Sequence, residues 1–320
     1  MSTLLDELSR QYVGRAPHMR ECGLLVTAIA TARGSMSLPA RPEWVGDSAR
    51  GLLHTGVLTV LADSTCGLAV GAAMAQRAPY ATLDLRMDWL RPAGPDQDVQ
   101  CEAHCYRISR SVAFVRGEVW QADRAQPIAA VQATFMLSTP AGTQRASQLA
   151  QAPAEPALAA APTPPPPSLL TPAPADDAWQ PPAGSVAVLP DSPIPYIDHL
   201  GIRAVPGTDV PMFRLPYQAR LIGNPHLSAL HGGVIAAFAE TAALLHLVRT
   251  LGGAKLPKGI DFSIDYLRAG RPVETFAQCE LVRVGARVAL VQVRCWQSSP
   301  DRPIVVARGH FLLTDAQQPT

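Results

Sequence analysis

What this chain has little of narrows it first. Charge is scarce and nearly balanced: 27 Lys and Arg stand against 26 Asp and Glu, a formal net charge of +1, and charged residues are 17% of the sequence. A nucleic-acid or membrane-surface partner usually leaves a basic stripe, so neither partner is expected. Cysteine is sparse and unpatterned: Cys22, Cys66, Cys101, Cys105, Cys279 and Cys295 show no disulfide-framework rhythm, which suits a reduced, cytoplasmic setting. Cys101 and Cys105 flank His104, but no second pair stands at ligand spacing, so buried strand thiols are expected and no metal. A secretory leader is not expected, because Asp6 and Glu7 interrupt the stretch where an apolar run would be needed. No nucleotide-binding motif occurs, and no resident cofactor is expected. One apolar stretch, Leu52 to Ala75, contains His54 and Asp63 and is rich in Gly and Ala; it reads as a helix buried in a soluble core rather than a membrane span.

Apolar residues make up 48% of the 320 positions, a globular composition whose length suits two domains. Between about residues 141 and 190 the sequence turns to Pro, Ala, Gln and Ser, with an unbroken run from Pro164 to Pro167. Such a stretch cannot bury enough apolar surface to fold and is expected to be an extended, polyproline-like spacer. The expected organisation is a first domain over 1–140, a linker over 141–190 and a second domain over 191–320. Leu4, Leu5, Leu8 and Tyr12 recur at helical spacing, which predicts a short amphipathic docking helix over 3–13.

The two halves repeat each other. His54 and His231, Gly56 and Gly233, Asp63 and Glu240, Asp84 and Asp261, Asp88 and Asp265, and Arg91 and Arg268 all stand 177 positions apart. Upstream, Leu38-Pro39 and Gly46 match Leu215-Pro216 and Gly223 at the same offset. After a one-residue deletion the offset becomes 176, and Trp120-Gln121 matches Trp296-Gln297 while Phe135 matches Phe311. Each unit predicts an extended segment, a glycine-containing loop and a helix apolar on nearly every side, over 57–74 and 234–250. An alternating strand follows. Leu83, Leu85, Met87 and Trp89 should face one way, and Ile260, Phe262, Ile264 and Tyr266 should repeat them. Three more strands, near 98–107, 112–121 and 128–137 in the first copy, complete an α+β layer fold.

Each central helix carries one carboxylate in an apolar run, Asp63 or Glu240, nine residues after a histidine at the helix start. Burying an unpaired carboxylate is costly. Each therefore either pairs with a neighbouring loop or lines a pocket as a general base or nucleophile. The starts themselves, His54-Thr55-Gly56 and His231-Gly232-Gly233, offer free backbone N–H groups at the positive end of a helix, suited to a developing oxyanion. From residue 232 to residue 240 a helix climbs about 12 Å, so one helix cannot bring both to one reacting centre. Two antiparallel helices can, and the duplicated chain supplies the pair. Two composite sites shared between the repeats are expected.

The pattern Asn224…His231-Gly232-Gly233…Glu240 followed by the strand from Asp261 to Leu267 resembles hotdog-fold thioesterases of the phenylacetate-degradation type. The first copy resembles them through His54…Ala62-Asp63 and Asp84…Trp89-Leu90-Arg91-Pro92. The resemblance covers nearly all of both domains and excludes the linker. It implies two hotdog domains, each an antiparallel sheet wrapped around a long helix, acting on acyl-CoA as an internal pseudo-dimer that could assemble further. It also implies a site with an acidic residue from one helix and a glycine amide and an Asn from the partner, with a Ser or Thr at the start of the following strand. Thr82 fills that last place in the first copy, and Gly259 stands there in the second. Asn224 is matched by Asp47 and Gly232 by Thr55, and Asn224 lies seven residues before His231 where six is commoner. His54 and His231 are expected to orient the loop. Arg91 and Arg268, with Arg110 and Arg287, are candidates for CoA phosphates. A non-catalytic acyl-CoA-binding or regulatory protein is the alternative, and a hotdog hydratase or dehydratase stands third.

Overall fold

The structure is a computed structural model that describes residues 10–76, 78–137, 184, 186–188, 194–224, 228–252 and 255–315. In the first unit, helix α1 (Pro17–Cys22) leads to strands β1 (Leu25–Ala30), β2 (Arg33–Leu38), β3 (Val45–Asp47) and β4 (Leu52–Leu53). Helix α2 (Thr55–Ala73) and strands β5 (Tyr80–Trp89), β6 (Val99–Ile108), β7 (Val112–Trp120) and β8 (Ala129–Leu137) complete it. The second unit repeats this order with α3 (Pro195–Leu200), β9 (Arg203–Val205), β10 (Met212–Leu215), β11 (Ile222–Asn224), β12 (Ala229–Leu230), α4 (Gly232–Leu251), β13 (Lys255–Tyr266), β14 (Thr275–Val284), β15 (Val288–Trp296) and β16 (Val305–Asp315). Every long element expected from the repeat is present. Of the expected N-terminal helix, residues 10–12 are helical, Val13 lies in a turn, and residues 3–9 lie outside the described residues. Residues 141–183 of the expected linker also lie outside them. Val186 forms a two-way backbone bridge with Ala204 at the edge of the second unit.

One antiparallel sheet of twelve strands runs through both units in the order β1-β2-β6-β7-β8-β5-β13-β16-β15-β14-β10-β9. The order reads the same from either end once the repeat is taken into account. At the centre β5 pairs with β13, and Arg86 faces Ser263, its own counterpart. Arg86 reaches across this seam to Asp261 at 3.1 Å. The ladder joins the units through backbone bonds, and the core joins them through side chains: a single apolar cluster contains residues of both.

The central strands depart from strict alternation where it matters. Leu85, Met87, Phe262 and Ile264 are buried as expected. Ile260, expected to face inward, is exposed. The cause is a β-bulge between Gly259 and Asp261, matched by one between Thr82 and Asp84. An extra residue in one strand resets which face its neighbours occupy. The bulge turns Thr82 and Gly259 inward, toward the carboxylates of α2 and α4.

Helices α2 and α4 lie antiparallel inside the wrapped sheet, at a separation set by glycine. A Cβ on Gly233 would stand 2.7 Å from the Val60 Cα, and one on Gly56 would stand 2.8 Å from the Ala237 Cβ. These are equivalent contacts across the pseudo-twofold axis. Only residues without a side chain allow backbones this close, and the start of each helix thereby meets the middle of the other. Both helices are long and apolar enough to cross a membrane, but 83% and 72% of their most apolar windows are buried within the protein. Apolarity on every side is what a helix enclosed by sheet and partner helix requires.

Candidate active site

Each central helix begins with a histidine that caps it. His54 and His231 adopt extended backbone angles, and their Nδ1 atoms accept from the N–H of Gly56 (2.9 Å) and Gly233 (3.0 Å). The opposite ring nitrogen then carries the proton. Ser64 Oγ donates to the Val60 carbonyl (2.7 Å) and so accepts from His231 Nε2–H at 3.2 Å. Thr241 Oγ1 donates to Ala237 O (2.6 Å) and accepts from His54 Nε2–H at 3.4 Å. Each cap therefore reaches across to the other central helix, one residue beyond its carboxylate. Burial lowers the pKa of both imidazoles, His54 to about 4; for His231 the neighbouring Asp63 opposes part of the shift. A neutral ring with both nitrogens engaged is poorly placed to act as a base.

Glycine also brings the preceding strand onto this cap. A Cβ on Gly46 or Gly223 would stand 2.7 or 2.6 Å from the Cα of His54 or His231. Strands β3 and β11 therefore pass directly over the helix starts. Asp47 and Asn224 follow these glycines and are both half-buried.

Asp63, on α2, is met by residues of both units. Its Oδ2 accepts from the Gly233 N–H at 2.8 Å and lies 3.5 Å from His231 Nδ1. Its Oδ1 accepts from Thr82 Oγ1 at 3.0 Å. Gly232, the first residue of α4, has an N–H that the helix cannot satisfy. A Cβ on it would come within 3.0 Å of Asp63 Oδ2, so glycine keeps the approach to the carboxylate open. The Tyr266 phenol donates to the Gly232 carbonyl at 2.9 Å. Tyr12 and Tyr80 donate to the carbonyls of Ser64 (2.9 Å) and Gly67 (2.8 Å), bracing α2 just beyond Asp63. A carboxylate with two hydrogen bonds, beside the positive end of a helix, can activate water or attack an electrophilic carbonyl. The Gly232 N–H, which the helix leaves unsatisfied, suits an oxyanion.

The matching arrangement around Glu240 is different. Glu240 is 1% exposed and neither carboxylate oxygen has a hydrogen-bond partner. Burial pushes its pKa up to about 7; the facing Thr55 hydroxyl and Trp89 indole N–H favour the charged form and offset only part of this. Neither Thr55 Oγ1 nor Trp89 Nε1 completes a hydrogen bond. Gly56 N–H serves the His54 cap. Gly259 stands where the other site has Thr82, and its missing side chain leaves room for Trp89 Cδ1, 2.9 Å from where a Cβ would be. Asp47 is turned to its own loop, where Oδ1 accepts from the Arg50 N–H at 3.1 Å.

Asn224 ends β11 with its Cα opposite Ala229, in the strand pair that leads into His231. Arg91 and Arg268 follow β5 and β13 as exposed residues, bonded to Gln126 Oε1 and to the Pro303 carbonyl at 2.5 Å. Arg110 and Arg287 are exposed in hairpin turns. Cys101 and Cys105 are buried thiols of β6. Sequence reasoning placed Tyr266 and Trp89 on the inward face of their strands but gave them no polar role. The signal available was that the two aromatic residues occupy one repeat position, 177 residues apart.

The thioesterase superfamily model matches the chain twice, over residues 50–128 and 227–304. A medium/long-chain acyl-CoA thioesterase, YigI of Salmonella typhimurium, is 27% identical over 146 residues, covering 42% of this chain and 93% of that protein. The phenylacetic acid degradation protein PaaI of Thermus thermophilus is 31% identical over 38% of this chain and 97% of its own, with a TM-score of 0.34. The chain belongs to the thioesterase superfamily. A protein with a hot dog fold from Alicyclobacillus acidocaldarius covers 92% of this chain and 96% of its own, at 13% identity and a TM-score of 0.58, a likeness of fold. The family segments begin 177 residues apart and end 176 apart, the offsets of the internal repeat. Two hotdog domains in one chain account for both.

Proposed function

We propose that this protein hydrolyses acyl-CoA thioesters to the free acid and CoA, and that the composite site around Asp63 carries the reaction. The observation that supports this most is the hydrogen bond from Gly233 N–H to Asp63, which joins the start of one central helix to the carboxylate of the other. In this reading Asp63 activates water or attacks the thioester carbonyl, Thr82 orients the carboxylate, and the Gly232 amide stabilises the oxyanion. Asn224 sits beside the substrate carbonyl. His231 and His54 hold the helix starts. Arg91 and Arg268 are candidate contacts for the CoA phosphates. The acyl-CoA thioesterase relative supports the substrate class.

The second site, with Glu240, Thr55, His54 and Asp47, is read as the weaker partner. Asp47, which stands where the first site has Asn224, is turned to its own loop and offers no donor to an oxyanion, and the bulged strand supplies no hydroxyl like that of Thr82. Its unpartnered carboxylate favours a second reading for that site, acyl-CoA binding without turnover. A hydratase reading has less support, because both histidines are engaged as helix caps. Six free, buried cysteines suit a reducing cytoplasm. The test is a hydrolysis screen with the full chain over CoA esters from short to long and aromatic, scored by thiol release. Hydrolysis of one class, abolished by Asp63→Asn, is expected. Saturable binding of esters without thiol release would replace the reading with a binding protein.

A further inference from the structure

Tyr266 has no assigned part in the reading above, yet it touches the helix start that meets Asp63. Its phenol donates to the Gly232 carbonyl at 2.9 Å. That carbonyl belongs to the same peptide unit as the Gly233 N–H, which is shared between His231 Nδ1 at 3.0 Å and Asp63 Oδ2 at 2.8 Å. The peptide plane is therefore held at both ends: by Tyr266 at the oxygen, and by the cap and the carboxylate at the hydrogen. A glycine pair offers no side chain to hold that plane, and glycine has the widest backbone freedom of any residue. Hydrogen bonding at a carbonyl also polarises the amide and strengthens its N–H as a donor.

The other site supplies an internal control. Trp89 occupies the position of Tyr266, 177 residues earlier. Its indole N–H completes no hydrogen bond, so it does not hold the Thr55 carbonyl as Tyr266 holds that of Gly232. The Thr55 carbonyl accepts instead from Thr59 Oγ1 within its own helix at 3.2 Å. Gly56 N–H stays with His54, and Glu240 has no partner. The phenol, the shared N–H and the bonded carboxylate occur together at one site and are missing together at the other.

We infer that Tyr266 is a positioning residue for the Asp63 site: it fixes the Gly232–Gly233 peptide so that one N–H orients the carboxylate and its neighbour faces the substrate carbonyl. This rests on the thioesterase reading for its kinetic consequence but not for its structural one. Burial keeps the phenol protonated, raising its pKa well above the ordinary value, so the donor persists across the working pH range.

The test is Tyr266→Phe in the full chain, which removes one oxygen and keeps the packed ring. The sequence contains only two Gly-Gly pairs, 232–233 and 252–253. Glycine labelled with ¹³C at the carbonyl and ¹⁵N at the amide therefore gives two carbonyl-correlated amide signals. The Gly233 amide proton should move upfield in Tyr266→Phe while the other signal stays. On the best ester kcat should fall about tenfold, the usual scale of one lost hydrogen bond to a positioned group, with KM within twofold and an unchanged circular dichroism spectrum. An unmoved Gly233 signal overturns the proposal whatever the activity. An unchanged kcat, or a raised KM at constant kcat, overturns the positioning role. A wild-type chain that hydrolyses no ester overturns the functional reading instead, and the amide signal still decides the pinning.

Discussion

The two helix starts of this chain share a backbone and differ in what surrounds it. Both have a histidine cap, a glycine strand laid over that cap, a second glycine against the opposite helix and a carboxylate nine residues on. Around Asp63 the neighbours are Gly232, Gly233, Thr82 and Tyr266. Around Glu240 they are Thr55, Gly259 and Trp89. The first set gives the carboxylate two hydrogen bonds, and the second leaves it with none. The fold therefore brings a carboxylate to a helix start in either case, and whether it is oriented depends on a hydroxyl from the bulged strand and on an N–H released toward it. Duplication supplies two versions of one scaffold in a single molecule, so each substitution has a matched control.

The sharpest break in the comparison is removal of each carboxylate. Asp63→Ala should lower kcat/KM on the best ester by about 10³ or more, and Glu240→Ala by less than threefold, with both variants folded. Steady-state kinetics on matched preparations decide it. A larger loss from Glu240→Ala would reverse the assignment, and no loss from either would favour the binding protein. Exchange at the helix starts comes next. Gly232→Thr puts a Cβ 3.0 Å from Asp63 Oδ2 and should cost about 10²–10³ in kcat, the scale of a disabled oxyanion site. Thr55→Gly at the other start should leave turnover on the best ester nearly unchanged. Equal sensitivity of the two starts would mean that both sites work.

Most of the scaffold was legible because duplication wrote it twice. A constant offset identified the units, and the alternation of Leu85, Met87, Phe262 and Ile264 identified the central strands. The buried helices followed from apolarity on every side. Antiparallel pairing of those helices came from length alone, since the climb of about 12 Å from residue 232 to residue 240 keeps the helix-start amides and Glu240 of one helix apart. The bulges were not legible. Strict alternation put Ile260 inside, and nothing local in Gly259-Ile260-Asp261 announces an extra residue; the pairing with β16 decides it. The polar duty of Tyr266 was hidden for a related reason. An aromatic residue at the end of an alternating strand satisfies the apolar pattern completely, and its hydroxyl acquires meaning only when another part of the chain supplies a carbonyl.

A smaller effect is expected from Thr82. Removing its hydroxyl with Thr82→Ala takes one of two hydrogen bonds from a charged acceptor and should lower kcat about tenfold with little change in KM. The reciprocal Gly259→Thr should not improve the Glu240 site, because its Cβ would sit 2.9 Å from Trp89 Cδ1 and displace the indole. A lower Tm without added turnover is the expected result. Faster hydrolysis from Gly259→Thr would mean that the missing hydroxyl alone separates the sites.

The last prediction reads the difference through stability rather than rate. Burial raises Glu240 from 4.5 to about 7 in the folded chain, so the native state holds a proton that the unfolded state releases near 4.5. A carboxyl whose folded pKa is raised contributes stability that is fully present below the unfolded value and is lost as pH rises through the folded one. The window is therefore about pH 4.5 to 7, and the loss above it is roughly 3 kcal/mol, with little discount for solvent because the side chain is enclosed. Glu240→Gln keeps the shape and cannot ionise. The variant should match wild type near pH 5 and exceed it at pH 8, by a Tm difference on the order of 5–10 °C, while kcat/KM on the best ester changes less than threefold. Other carboxylates titrate alike in both proteins, so the difference between their Tm–pH curves isolates this one group. A flat difference curve would show that Glu240 ionises at no cost and has found a partner, which would bring the second site close to the first. A Gln variant that gains the stability but loses hydrolysis would place the reaction at Glu240.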